Sequence, residues 1–220
     1  MSDNFLKKIK SYCELCGVVN IENFIDDCSI LKNILFSENR KYNLTSIKED
    51  NDYWNKHIAD SLSIVRLFPE LRKNSLKLAD IGCGAGFPSL VLAIAFKHLK
   101  ITGIDSIQKK INFVELAAKQ LGLNNLDVVW GRARELKIIK RYDYVIARAV
   151  AEPIKIFKES RKLLNKTGKI VIYQTPKTDT PSPDILNKLT QKYSYVWEKS
   201  SEFLLPGGDK RMFTYTIPRH

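Results

Sequence analysis

Three glycines in five residues, Gly82-Cys83-Gly84-Ala85-Gly86, follow the acidic residue Asp80 at the end of an apolar run. Without Cβ atoms a backbone can turn sharply and approach a ligand, so such a run after a strand suits a nucleoside. The spacing here is G-x-G-x-G. A dinucleotide loop is G-x-G-x-x-G, and the helix after it receives a pyrophosphate at its N-terminus. S-adenosylmethionine is a nucleoside cofactor with no pyrophosphate, and Asp80 can engage its cationic end directly or through water. Asp105, at the end of the next apolar run, sets a carboxylate where both ribose hydroxyls could donate to it. NAD would use the same device, so an NAD-dependent oxidoreductase stands as an alternative, and Asp105 could instead cap a helix from Ser106 onward.

These residues need a sheet to hold them, and the pattern after Asn74 supplies one. Runs at 76–81, 99–105, 126–130, 142–147 and 169–174 read as strands, and 88–96, 108–121 and 154–164 as intervening helices. That alternation makes an α/β domain with a parallel, doubly wound sheet. The proline-bearing stretch 175–183 reads as a loop, 184–192 as a helix and 203–217 as closing strands. Before Asn74 the period is helical. Ile21, Phe24, Ile25, Cys28, Leu31, Ile34 and Leu35 recur every three or four residues, and a second helix is expected over 52–67 with Tyr53, Trp54, His57, Ile58, Ser61, Leu62 and Val65 inward. Residues 1–73 are therefore expected to be a helical cap on a cofactor-binding domain at 74–220.

In 220 residues, 44% hydrophobic, there is enough apolar surface for a substantial core. No run reaches the ~18 apolar residues of a membrane span, and the first residues lack a signal peptide's apolar segment. A cytoplasmic protein with no membrane partner is expected, with reduced cysteines. Cys13-x-x-Cys16 lacks the second ligand pair of a structural zinc site, so no metal is expected. A net charge of +12 attracts polyanions, RNA and DNA among them, although part of the excess lysine belongs to a general richness in Lys, Asn and Ile.

Several blocks together resemble one family. They are Tyr42-Asn43-Leu44-Thr45-Ser46-Ile47, His57-Ile58-Ala59-Asp60-Ser61-Leu62, Asp80 through Pro88, Asp105-Ser106 with Lys109, Lys110 and Phe113, and Ala147-Arg148-Ala149. In order and type they are similar to the bacterial small-subunit ribosomal RNA guanine-N7 methyltransferases, the glucose-inhibited division protein B family. The resemblance implies a Rossmann-like class I methyltransferase fold with a mostly parallel seven-stranded sheet. It also implies S-adenosylmethionine as cofactor, and 16S ribosomal RNA or the assembling small subunit as partner. A monomer is expected. Cofactor contacts are implied at Gly82 and Phe87, at Ala133-Arg134 and at Arg148, and with Asp80, Gly84, Gly86 and Asp105 these make the expected site. Phe87 would pack on an apolar part of the cofactor, and Ala133 and Arg134 would offer backbone groups to the adenine edge. Arg148, at the rim, is the candidate positioning residue, or else it braces the loop by an ion pair with Glu152 or Asp143.

The chain departs from the family at Arg134, where an acidic residue is usual, although Glu135 follows. It departs also at Gln174, in place of a lysine whose nearest stand-in is Lys177, and at Glu38, in place of a tryptophan. The departures at Arg134 and Gln174 motivate a further alternative, a basic RNA-binding module on the same fold without catalysis. His57 is read chiefly as a helix histidine satisfied by a core hydrogen bond, with a polar contact near the substrate as the other reading. Asn43 and Thr45 either form a turn and cap or shape the cofactor pocket. For RNA, Lys and Arg on the helical cap, together with Lys109, Lys110, Arg132, Arg134, Lys137, Lys140 and Arg141, are expected to meet phosphates.

Overall fold

The computed structural model describes residues 2–135, 141–148, 152–178 and 181–219; Lys137 and Lys140 lie outside the described residues. Eight strands form the sheet: β1 Lys77–Ile81, β2 Lys100–Asp105, β3 Leu126–Trp130, β4 Tyr142–Arg148, β5 Leu164–Gln174, β6 Tyr195–Lys199, the two-residue β7 Phe203–Leu204, and β8 Lys210–Pro218. Seven lie in the order β3-β2-β1-β4-β5-β8-β6, and β7 pairs only with β8. Pairings among β1 to β5 are parallel and those of β8 are antiparallel. Strand order reverses between β1 and β4, so the carboxyl ends of these strands flank a crevice where α/β sheets bind ligands.

Strand β6 was not expected from the sequence. Its residues Tyr195-Val196-Trp197-Glu198-Lys199 follow a polar stretch, and the strand forms because β8 offers a free edge to which Trp197 pairs opposite Thr216. One core face carries Ala79, Ile81, Val145, Ala147, Ile172 and Trp197. The other face carries Leu78, Tyr144, Ile146 and Val171, and its cluster runs on without a break into Ile9, Phe24, Leu31, Trp54 and Leu62 of the N-terminal helices.

The helix Asp3–Leu15 starts at Ser2, whose hydroxyl accepts from the Phe5 amide. The helix Ile21–Tyr42 runs two turns beyond its apolar repeat and stops where Asn43 adopts a left-handed conformation, φ 49°. It packs on the helices Ser89–Ala95 and Gln108–Gln120.

The helical stretch 50–67 differs most from its expected form. It contains a π-helical segment, Tyr53–Ala59, and every residue from His57 to Val65 is buried, not one face alone. It lies between the N-terminal helices and the sheet, so its polar residues need internal partners. Ser61 Oγ donates to the His57 carbonyl and Ser63 Oγ to that of Asp60. Asn55 reaches the opposite end of the chain, donating to Asp209 at 2.6 Å and accepting from the Gly207 amide at 2.8 Å.

Candidate active site

The glycine run leaves β1 and folds back on β2. The amides of Gly82 and Cys83 both donate to the Ile104 carbonyl, at 2.7 and 3.1 Å. Gly82, Gly84 and Gly86 have φ of 68°, 58° and 79°, a region costly for side chains with Cβ. Two of them serve different ends. A Cβ on Gly86 would lie 2.4 Å from Leu90 Cδ1, so this glycine lets the loop pack onto the next helix. A Cβ on Gly84 would meet only the Gly82 carbonyl, at 3.9 Å, so open space lies above it.

Two carboxylates stand at the ends of the strands that flank this loop, Asp80 in β1 and Asp105 in β2. Asp80 is fully buried in β1, with Oδ2 accepting from Ser89 Oγ at 2.5 Å and Oδ1 without a hydrogen-bond partner among the described residues. Burial pushes its pKa up to about 6, against the lowering effects of Ser89 and Arg148. An orphaned, desolvated carboxylate oxygen is a site for a cation. Asp105 accepts from the Gly84 amide through Oδ2 and from the Ile107 amide through Oδ1, both at 2.9 Å. It thus ties the glycine loop to the start of the next helix. An ionised carboxylate has about four lone-pair sites, and two remain for hydroxyl donors. These residues fit an adenosylmethionine: Asp80 for the ammonium, Gly84 for the close approach, Asp105 for the ribose. Bound there, the cofactor supplies an activated methyl on a sulfonium.

Phe87 is 4% exposed, and its ring stacks on His57 at 4.0 Å and 11°. What it can present to a ligand is its backbone and a ring edge. Ala133 is buried in the second core cluster, while the exposed Arg134 pairs with its neighbour Glu135 at 3.2 Å.

Arg148, at the end of β4, is braced from several sides. It donates to the Phe87 carbonyl (Nε, 3.2 Å), the Lys56 carbonyl (Nη1, 2.7 Å), Asp60 Oδ2 (Nη1, 3.1 Å) and His57 Nδ1 (Nη2, 3.2 Å). Arginine has five N–H donors, so one Nη2 hydrogen has no acceptor among the described residues. The ion-pair partner is Asp60, not Glu152 or Asp143. Asp143 instead accepts from the Lys77 amide and from Asn165. Asp60 also takes Arg211 of β8 at 3.1 Å, so one buried carboxylate joins β4 to β8. Sequence could not show this, because its partners lie 88 and 151 residues away.

His57 meets Arg148 on one side and Thr45 Oγ1, 3.1 Å from its Nε2, on the other. Burial, then the Arg148 charge, pushes its pKa well below the usual value, so it is neutral. Asn43 caps its helix, and Thr45 is clamped by Asn39, whose side-chain amide both donates to and accepts from its backbone at 2.9 Å. Gln174, at the end of β5, accepts from Thr214 Oγ1 at 2.6 Å. Arg141 precedes β4 at the opposite end of the sheet and donates to the Lys162 and Leu164 carbonyls. The cysteines are free thiols buried in the core, and burial raises Cys13 and Cys16 to about 12.

A family model described as GidB, rRNA small subunit methyltransferase G, matches residues 25–198. The chain belongs to this family. A relative from Mycoplasma capricolum, called ribosomal RNA small subunit methyltransferase G, is 41% identical over 156 residues, covering 70% of this chain and 66% of that protein. One of the same name from Streptococcus pyogenes is 37% identical over 186 residues, covering 82% and 77%. The fold is shared with solved methyltransferases. The Streptomyces achromogenes O-methyltransferase TomG has a TM-score of 0.57 at 15% identity, covering 86% of this chain and 89% of that one. An Aquifex aeolicus SAM-dependent methyltransferase has 0.52 at 15% identity, covering 86% and 97%. The fold is therefore that of the Rossmann-like methyltransferases, and the family to which the chain belongs uses S-adenosylmethionine. The NAD-dependent and non-catalytic readings have no support from these matches.

Proposed function

We propose that this chain transfers the methyl of S-adenosylmethionine to N7 of a guanine in small-subunit ribosomal RNA, with residues 1–73 as a cap over the 74–220 domain. The observation that carries the reading is the family match over 25–198; the orphaned Asp80 Oδ1 and the tie from Asp105 to the Gly84 amide support it. Asp80 Oδ1 takes the ammonium and Asp105 the ribose hydroxyls. Gly82, Phe87 and residues 133–134 present backbone, and Gly86 packs the loop. Arg148, with one N–H to spare, is the positioning residue at the rim.

Guanine N7 carries an in-plane lone pair and needs no proton removed, so the protein's work is alignment. Asp80, held dry and oriented by Ser89, fixes one end of the cofactor, and the Asp60–Arg148 brace fixes the rim against which the base is set. N7 faces the deep, narrow groove of an A-form helix, so the target guanine must lie in a loop or be turned out. The basic surface draws RNA in, and Lys109, Arg132 and Arg134 are exposed. No helix among the described residues is long and apolar enough to cross a membrane, and the reading places the protein with its RNA in the cytoplasm, as a monomer.

The test is mass-spectrometric mapping of ribosomal RNA from cells with and without the gene. One N7-methylguanine should vanish from small-subunit RNA in the deletion and return with the wild-type chain; loss of a methyl only at some other atom would refute the assignment.

A further inference from the structure

Beside the braced arginine lies a groove of about 530 Å³ lined by Phe36, Asn39, Arg40, Asn43, Thr45, Ile47 and Lys48. Thr45 separates it from His57, and His57 stacks on Phe87 at the end of the glycine run. The hydrogen-bond polarity along this path is fixed. Arginine can only donate, so His57 Nδ1 must accept from Arg148, which puts the imidazole proton on Nε2. Nε2–H then donates to Thr45 Oγ1, which also accepts from the Ile47 amide at 3.1 Å. With both lone pairs taken, the hydroxyl has only its hydrogen left, and it has no acceptor among the described residues. The hydroxyl is held by the two donors on it, His57 Nε2 and the Ile47 amide, and Asn39 clamps the Thr45 backbone.

A partly buried hydroxyl obliged to donate selects for a ligand acceptor. The Hoogsteen edge of guanine offers O6 next to N7, whereas adenine offers an amino donor there. Phe36 gives the groove an apolar wall, held edge-on to Tyr53. Arg40 and Lys48 are exposed and form no ion pair among the described residues, leaving two cations for phosphates.

We infer that this groove receives the target guanosine, with the Thr45 hydroxyl donating to guanine O6 and Arg40 and Lys48 meeting the flanking phosphates. This rests on the guanine-N7 reading. Thr45 is then a specificity-determining residue. It holds the base by O6 and makes no bond to N7, and an adenine in its place would set two donors against each other.

The test compares wild-type chain, Thr45→Val and Thr45→Ser on reconstituted small-subunit RNA carrying guanine or 2,6-diaminopurine at the mapped target. The latter keeps N7 and replaces O6 by an amino group. Loss of one such bond with its partner left unpaired predicts a fall of roughly 10- to 100-fold in kcat/KM. Wild type should fall by this factor on diaminopurine. Thr45→Val should fall by a like factor on guanine, lose no more on diaminopurine, and bind adenosylhomocysteine as wild type does. Thr45→Ser should stay near wild type. The double variant Arg40→Ala, Lys48→Ala should weaken RNA binding and lower its logarithmic salt slope by about 1.4, on ~0.7 per single-strand phosphate.

The inference is overturned if Thr45→Val is fully active, if it still discriminates against diaminopurine, or if its loss follows a parallel loss of cofactor affinity. Should wild type prove to methylate an atom other than N7, the underlying reading fails instead, and the mapping identifies that outcome independently of the variants.

Discussion

Replacing Asp60 by alanine tests the brace on which the rim depends. The carboxylate is 5% exposed and takes Arg148 and Arg211 at 3.1 Å each. At an effective dielectric near 20, a pair at this distance is worth about 5 kcal/mol of Coulomb attraction, much of it offset by desolvation. Arg211 keeps a second carboxylate, Asp209, at 4.0 Å. Arg148 keeps only uncharged acceptors. Removing one member of such a buried pair costs roughly 3–5 kcal/mol, because the remaining charge stays buried without compensation. For a chain of this size that is a fall of about 6–20 °C in melting temperature. Urea unfolding of wild type, Asp60→Ala, Arg148→Met and the double variant gives the coupling directly. The double variant should recover at least about 1 kcal/mol relative to Asp60→Ala, since it removes the stranded guanidinium. A loss below about 1 kcal/mol for Asp60→Ala at unchanged m-value would show that the pair behaves as a surface ion pair, and the brace would have to be abandoned.

The remaining expectations concern the glycine run and its acids. Asp80 titrates near 6 in the folded chain against 3.8 when free, so its ionised form opposes folding above about pH 6, and that opposition is relieved as pH falls toward 4. Cofactor binding runs the other way: calorimetric affinity for S-adenosylmethionine should decline below about pH 6 as Asp80 protonates, and Asp80→Asn should flatten the profile; a profile identical in both chains would count against the ammonium contact. Gly86→Ala should lower stability by about 2 kcal/mol or more, from its positive φ and the clash with Leu90, whereas Gly84→Ala should cost about 1 kcal/mol in stability, measured by denaturant melts. Equal losses would contradict their separate roles. Gly82→Val and Asp105→Ala should each abolish or strongly weaken adenosylhomocysteine binding in a titration, and intact binding in both would rule out the crevice as the cofactor site.

Much of the architecture was legible because its signals are local. The β1–β4 runs, the glycine spacing and the helical repeat from Ile21 are properties of adjacent residues, and their elements formed within a few positions of expectation. Strand β6 was not legible, since Tyr195–Lys199 is a strand only because β8 leaves it an edge. The one-faced reading of 52–67 failed for the same kind of reason. Burial on all sides depends on what packs against a helix, and the polar residues that suggested a wet face are satisfied internally: Asp60 by Arg148 of β4 and Arg211 of β8, Asn55 by the turn at 207–209, and Ser63 by a carbonyl of its own helix. Asp80, Gly84 and Asp105 could be chosen from sequence because a strand, a tight turn and the next strand fix them relative to one another. Phe87, His57, Thr45, Arg148 and Arg211 could be named, or not even that, but never connected. Only the tertiary structure decided that Phe87 spends its ring on His57, that Arg148 pairs with Asp60, and that the chain of donors ends on a single hydroxyl of Thr45. Hydrogen-bond polarity is set by which groups meet, and residues dozens of positions apart meet only once the sheet and its helical cover have closed around them.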